Sequence, residues 1–241
     1  MGKIICWSGE DPKQYQQIIL KDFRQDEASI IAVLTAIKAR ELPNDLVLLN
    51  YYKEVPVSFG VAIDFIDRGL VAAVVHHLQA PVMLMQKTTL IKSAHLPHVV
   101  QANVQEVKLE ENVALLSYFS YVKVPADRRK YVRVKVSGRH EAVFRSGRIV
   151  VRGTMRDICI GGVALFSPEV AGLDPQTAGI VTLELFGRKL DLQARLIRIG
   201  DEEGLKKYIF ELEVTVNSED MIARFVNQQQ AEIIKELKQA C

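Results

Sequence analysis

Cysteine is scarce in this 241-residue chain. The three present, Cys6, Cys159 and Cys241, lie far apart and form no C-x-x-C spacing, so neither a disulfide framework nor a zinc ribbon is expected. Long apolar runs are lacking as well. The longest stretch without a formal charge, residues 69–86, contains His76, His77, Gln79 and Pro81, and it reads as two short strands and a turn, not as a membrane span. No basic leader with an apolar core and a small-residue cleavage site opens the chain, so secretion is not expected and a reducing cytoplasmic setting is. Patterns of the G-x-S-x-G, P-loop and G-x-G-x-x-G kinds are missing. Neither His76-His77 nor His95-Leu96-Pro97-His98 has the helical i, i+4 spacing or the Cys and carboxylate neighbours of a metal site. Catalysis, a cofactor and a bound metal are therefore not expected.

Hydrophobic residues make up 49% of the chain and charged residues 25%, the balance of an ordinary cored protein. Its length fits two modules. The net charge of +2 conceals an uneven distribution. Between Pro125 and Arg156 stand ten basic residues (Arg128, Arg129, Lys130, Arg133, Lys135, Arg139, Arg145, Arg148, Arg152 and Arg156) against Asp127 and Glu141, a local charge of +8 that leaves −6 for the rest. Eight of the ten are arginine, whose planar fork suits bidentate recognition of phosphates and base edges.

The first forty residues or so read as helical. Asp11 is the expected cap, Pro12 fits the first turn, and Tyr15, Ile18, Ile19 and Phe23 fall at helical spacing. A second helix is expected around Ile30, Val33, Leu34 and Ile37, ending before Pro43. Strands are then expected at residues 46–51, 57–66, 70–75, 82–85, 99–107 and 113–122, the texture of a barrel or sandwich. Lys123-Val124-Pro125-Ala126-Asp127 is the natural boundary. Beyond it, strands are expected at residues 131–136, 149–158, 163–167, 179–186, 189–199 and 207–216, with a tight turn at Gly161-Gly162. A closing helix from about Ser218 places Ile222, Phe225, Val226, Ile233 and Leu237 on one face. The expected division is a helical leader over residues 1–44, a β domain over 45–124 and a second β domain with its tail helix over 125–241.

Two spaced patterns mark the second module. Arg129 and Arg133 form R-x-x-x-R at the entrance to its first strand, and Asp157, Cys159 and Gly162 form D-x-C-x-x-G at a strand-to-turn junction. Together they resemble the R-x-x-x-R and [DN]-x-S-x-x-G signatures of the PilZ domain family, and the likeness extends over roughly residues 127–216. That family binds cyclic di-GMP. The resemblance implies a mainly β chain of two antiparallel β-barrel domains, an N-terminal split barrel like that of YcgR-like flagellar-brake proteins and a C-terminal PilZ barrel, with N-terminal helices and a C-terminal helix. It further implies a ligand site of Arg128, Arg129, Arg133, Asp157, Cys159, Gly161 and Gly162. Arg129 and Arg133 would grip phosphates and guanine Hoogsteen edges, Arg128 would assist, Asp157 would accept from a guanine N–H or hold an arginine, and Gly162 would admit close backbone approach. Cys159 stands where the family most often has serine, and a thiol is the poorer hydrogen-bonding group.

A bacterial cytoplasmic receptor is implied, acting in motility or surface-attachment (biofilm) control. Its protein partner would belong to flagellar motor, pilus or regulatory machinery, or would be a second copy of the chain. Two other readings compete. One is a PilZ-type module that binds only protein. The other is a nucleic-acid-binding β-barrel, against which stands the shortage of stacking aromatics, Tyr131 and Phe144 alone in the basic segment.

Overall fold

The computed structural model describes residues 15–124 and 131–239. The chain divides into two units, one built mainly from residues before 130 and the other mainly from residues 130–236. In the first, the order is β1 (Gln16–Ile18), α1 (Phe23–Lys38), β2 (Val47–Tyr52), β3 (Val55–Gly60), β4 (Ala62–Asp67), β5 (Leu70–Val74), α2 (Ala80–Gln86), β6 (Thr88–Lys92), β7 (Val99–Lys108) and β8 (Val113–Lys123). The strands form one curled sheet in the order β3-β2-β6-β7-β8-β5-β4. β7 takes one edge of β8, while β5 and β1 share the other, one at each end.

Helix α1 starts where Asp22 caps it, its side chain accepting from Gln25 N at 2.9 Å, and it ends with Lys38 in the last turn, a favourable charge for the carbonyl end. Its apolar stripe of Ile30, Leu34 and Ile37 is buried with Leu48, Val71, Met83, Val100, Leu116 and Phe119 in the unit's main core. Buried Asp26 accepts from the backbone of Leu20 at 2.8 Å and Lys21 at 3.2 Å, which fixes the approach to the helix.

Two local expectations give way. The stretch expected to be helical at residues 15–19 is strand β1, because three residues can pair with the free end of β8, and Asp22 assigns Phe23 to the next helix. Asp11 and Pro12 lie outside the described residues. The apolar run at residues 82–85 is not a strand but part of α2, where Pro81 sits in the first turn without needing its missing N–H. The strand that follows, β6, was not expected. The run expected as one strand over 57–66 is two, β3 and β4, broken at Val61.

The second unit contains β9 (Val134–Ser146), β10 (Ile149–Cys159), β11 (Gly162–Ser167), β12 (Ala178–Leu185), β13 (Arg188–Glu202), β14 (Leu205–Glu213) and α3 (Val216–Gln239). The six strands close into an antiparallel barrel, β10-β11-β14-β13-β12-β9. Its interior is filled by alternate residues of each strand, among them Phe144, Val151, Leu165, Val181, Leu183, Leu196, Tyr208 and Phe210, all nearly inaccessible. Phe144 and Phe210 pack ring to ring at 4.5 Å. Helix α3 buries Ile222, Phe225, Val226 and Ile233, and the Phe225 ring meets His140 and Phe186 edge-on at 5.5 and 5.6 Å. No helix of the described residues is long and apolar enough to cross a membrane.

Candidate functional site

The site is assembled where β9, β10 and β11 meet. β10 carries a bulge at Arg156: Met155 pairs with His140 and Leu165, but Asp157 pairs with Lys135 and Ala164. Against that one residue, β9 spends four, Val136 to Arg139, with Gly138 at φ +83. Bulges of this kind re-aim a side chain. Here the bulge puts Asp157 on the same face as exposed Lys135, and the next pairs are Ile158 with Val134 and Cys159 with Gly162. Arg133, one residue before Val134, is thereby brought alongside the end of β10.

The two sequence patterns meet in one ion pair. Arg133 Nε lies 3.5 Å from Asp157 Oδ1, with side chains 26% and 11% exposed. Arg133 Nε is itself buried and has no hydrogen-bond partner among the described residues. A buried donor left unmade costs about 1–3 kcal/mol, and the Asp157 carboxylate facing it at 3.5 Å offsets part of that. Cys159, a free thiol, is half-buried on the same face as Gly162.

Gly162 of the turn is required by the fold, and Gly161 is closely packed. A Cβ on Gly162 would sit 2.9 Å from the Phe210 carbonyl oxygen of β14, and one on Gly161 would sit 3.3 Å from the Tyr131 ring. The Gly161 carbonyl also accepts from Leu212 N at 3.1 Å, stitching the turn to β14. The Gly162 backbone is thus closely approached by the protein's own strand β14.

Arg133, Asp157, Cys159, Gly161 and Gly162 are therefore gathered at one end of the barrel, while Arg128 and Arg129 lie outside the described residues. The remaining basic residues do not form one field. Arg139 pairs with Glu141 at 3.2 Å, Arg145 donates to Thr182 at 3.0 Å, and Arg156 pairs with Glu203 at 2.5 Å while its guanidinium stacks 4.8 Å from the Phe166 ring centre. The hydrogen bond and charge of Arg156, helped by Lys135, hold the Glu203 carboxyl below its ordinary range. No group of three His, Cys, Asp or Glu side chains among the described residues is arranged to hold a metal.

Three neighbours of the site were not among its expected residues. Tyr131 lies against Gly161. Glu211 is the cross-strand partner of Gly162, and Arg195 is the partner of Glu211, joined to it at 2.5 Å. Strand alternation alone would turn Arg195 and Glu211 outward, but their place beside Gly162 depends on β11 pairing with β14, a contact between distant segments that no local pattern announces.

Residues 127–228 match the family model described as "PilZ domain". A curated relative, an uncharacterized protein of Aquifex aeolicus (strain VF5), is 26% identical over 146 residues, covering 56% of this chain and 68% of its own. Among solved structures, YcgR in complex with c-di-GMP from Escherichia coli is similar with a TM-score of 0.46 at 12% identity, over 90% of this chain and 96% of that one. The Bacillus subtilis inhibitor of motility (MotI/DgrA) is similar with a TM-score of 0.43 at 14% identity, over 78% and 97%.

Proposed function

We propose, from the match of residues 127–228 to the PilZ domain model, that the chain is a receptor for cyclic di-GMP, binding it at the Arg133–Asp157 end of the barrel without turning it over. The observation that carries this reading is the Arg133–Asp157 pair beside the Gly161-Gly162 turn, in which the buried Arg133 Nε faces Asp157 at 3.5 Å without a hydrogen-bond partner among the described residues. Asp157 orients Arg133, whose remaining donors suit a phosphate oxygen or the O6 and N7 acceptors of guanine. Arg128 and Arg129, a few residues earlier in the chain, supply the other cationic contacts. Cys159 and the turn line the floor. Charge-assisted hydrogen bonds contribute about 1.5–3 kcal/mol each, so two or three of them account for most of a micromolar affinity.

Titration calorimetry of the full chain with cyclic di-GMP tests the proposal. Micromolar binding is expected, weakened by about tenfold to a hundredfold in Arg133→Ala and similarly in Arg129→Ala. Binding that is absent at tens of micromolar, or that survives the double replacement unchanged, removes it. Beyond capture, we propose that the ligand alters the arrangement of the two units and that this change is read by a protein partner.

A further inference from the structure

The Gly162 turn has a second wall. Across the barrel surface the register runs from Cys159 on β10 to Gly162 on β11, Glu211 on β14 and Arg195 on β13, each the cross-strand partner of the one before. Cross-strand partners share a face, so these four lie in one outward row. Its middle is low: Gly162 has no side chain, and neighbouring Ala164 is small. At one side stands the Arg133–Asp157 pair. At the other stands Arg195–Glu211, a second guanidinium–carboxylate pair, Nη2 to Oε2 at 2.5 Å, with side chains 51% and 49% exposed. Strands are spaced about 4.8 Å apart, which puts the β14 wall roughly 10 Å from the β10 wall. Arg198, two residues beyond the Leu196–Phe210 pair on β13, adds an exposed cation nearby.

Resting on the receptor reading above, we infer that the Arg195–Glu211 pair reads the second base of the ligand and makes the site selective for guanine over adenine. A carboxylate accepts hydrogen bonds only. Guanine offers it two donors on one edge, N1–H and N2–H, whereas adenine presents an acceptor at N1 and no amino group at C2. Arg195 holds the Glu211 carboxylate in its outward orientation and neutralises it, so the pair stands ready without a net field that would repel phosphates. The same chemistry on the Asp157 side gives a two-base ligand one carboxylate per base. Sites built to pair with a particular polar group reject the analogue lacking it, because their own groups are then left unmade.

Calorimetry of the full chain with cyclic di-GMP and with the hybrid cyclic GMP–AMP, in which one guanine is replaced by adenine, separates the possibilities. The wild-type chain should prefer cyclic di-GMP by about tenfold or more. Glu211→Gln should reduce that preference to about threefold or less, and Arg195→Ala should weaken cyclic di-GMP binding by about tenfold. Both residues are exposed, and a purely structural role would leave the guanine preference untouched. A wild-type chain that binds cyclic di-GMP, with both variants keeping its affinity and preference, overturns this inference and leaves the receptor reading standing. A wild-type chain that binds neither ligand overturns both.

Discussion

Gly162 can be nothing else in this barrel, and the reason lies in β14. Its absent Cβ would be 2.9 Å from a backbone carbonyl, that of Phe210, which cannot rotate out of the way as a side chain could. Gly162→Ala should therefore push β11 from β14 and cost about 1–3 kcal/mol, the usual penalty for forcing an extra atom into a filled space. Urea denaturation measures it, and a variant as stable as wild type would refute the steric account. The D-x-C-x-x-G spacing was visible in the sequence, as was the pairing of small and acidic residues at a turn. Hidden was the identity of the group that approaches the glycine, since Phe210 follows 48 residues later and is brought back only by barrel closure. Arg133 shows the complementary case: that Asp157 could hold an arginine was implied by the resemblance, but that the arginine is Arg133 depends on a bulge with no local sequence signature.

At the level of elements, long periodic segments were readable and short apolar ones were not. The α1 stripe and five of the six barrel strands were legible because each buries a regular face, whereas β9, expected over residues 131–136, runs over Val134–Ser146 and was anticipated only at its start. The run 82–85 was ambiguous between strand and buried helix, and only its neighbours in the core select helix. The corner between β5 and α2 gives this a measurable consequence. The His76 ring stacks on Phe59, centres 3.7 Å apart and planes 4° from parallel, and lies 4.2 Å from His77, while its Nδ1 accepts from Leu78 N at 3.2 Å. Burial, and to a lesser degree the charge of His77, hold its pKa below the ordinary 6.5. Protons thus bind the unfolded chain more tightly than the folded one. The stabilisation is complete above pH 6.5 and is lost as pH falls through that value towards the lower folded pKa. The first unit should melt at a lower temperature at pH 5.5 than at 7.5, and His76→Asn, which keeps an acceptor but cannot titrate, should flatten the difference. A proton-NMR titration of His76 with a midpoint at or above 6.5 would contradict this.

For the whole molecule, composition and texture conveyed a mainly β chain with a basic second module, whereas ion pairing and strand order were beyond their reach. The +8 segment looked like one field, yet Glu203 from the β13–β14 hairpin comes back to neutralise Arg156 within it. Lys135, Arg148 and Arg152 stay exposed, while Arg133 is held by Asp157. The place of Arg128 and Arg129 in the sequence bears on the proposed signalling. Arg128 and Arg129 belong to the residues that join β8 to β9, whereas Asp157 and the glycine turn belong to the barrel. A ligand bonded to both binds one disposition of the joining residues more tightly than any other, and a difference in affinity is all that a shift of population requires. Two charge-assisted contacts from the joining residues supply about 3–6 kcal/mol of bias, and about 5.5 kcal/mol takes an equilibrium from 1:99 to 99:1. Saturating cyclic di-GMP should therefore change the small-angle X-ray scattering profile of the full chain. Arg128→Ala/Arg129→Ala at ligand concentrations that still fill the barrel site should abolish most of the change. Identical profiles with and without ligand, in a chain shown by calorimetry to be saturated, would mean that capture is not coupled to the arrangement of the units and that any partner must instead recognise the filled site directly.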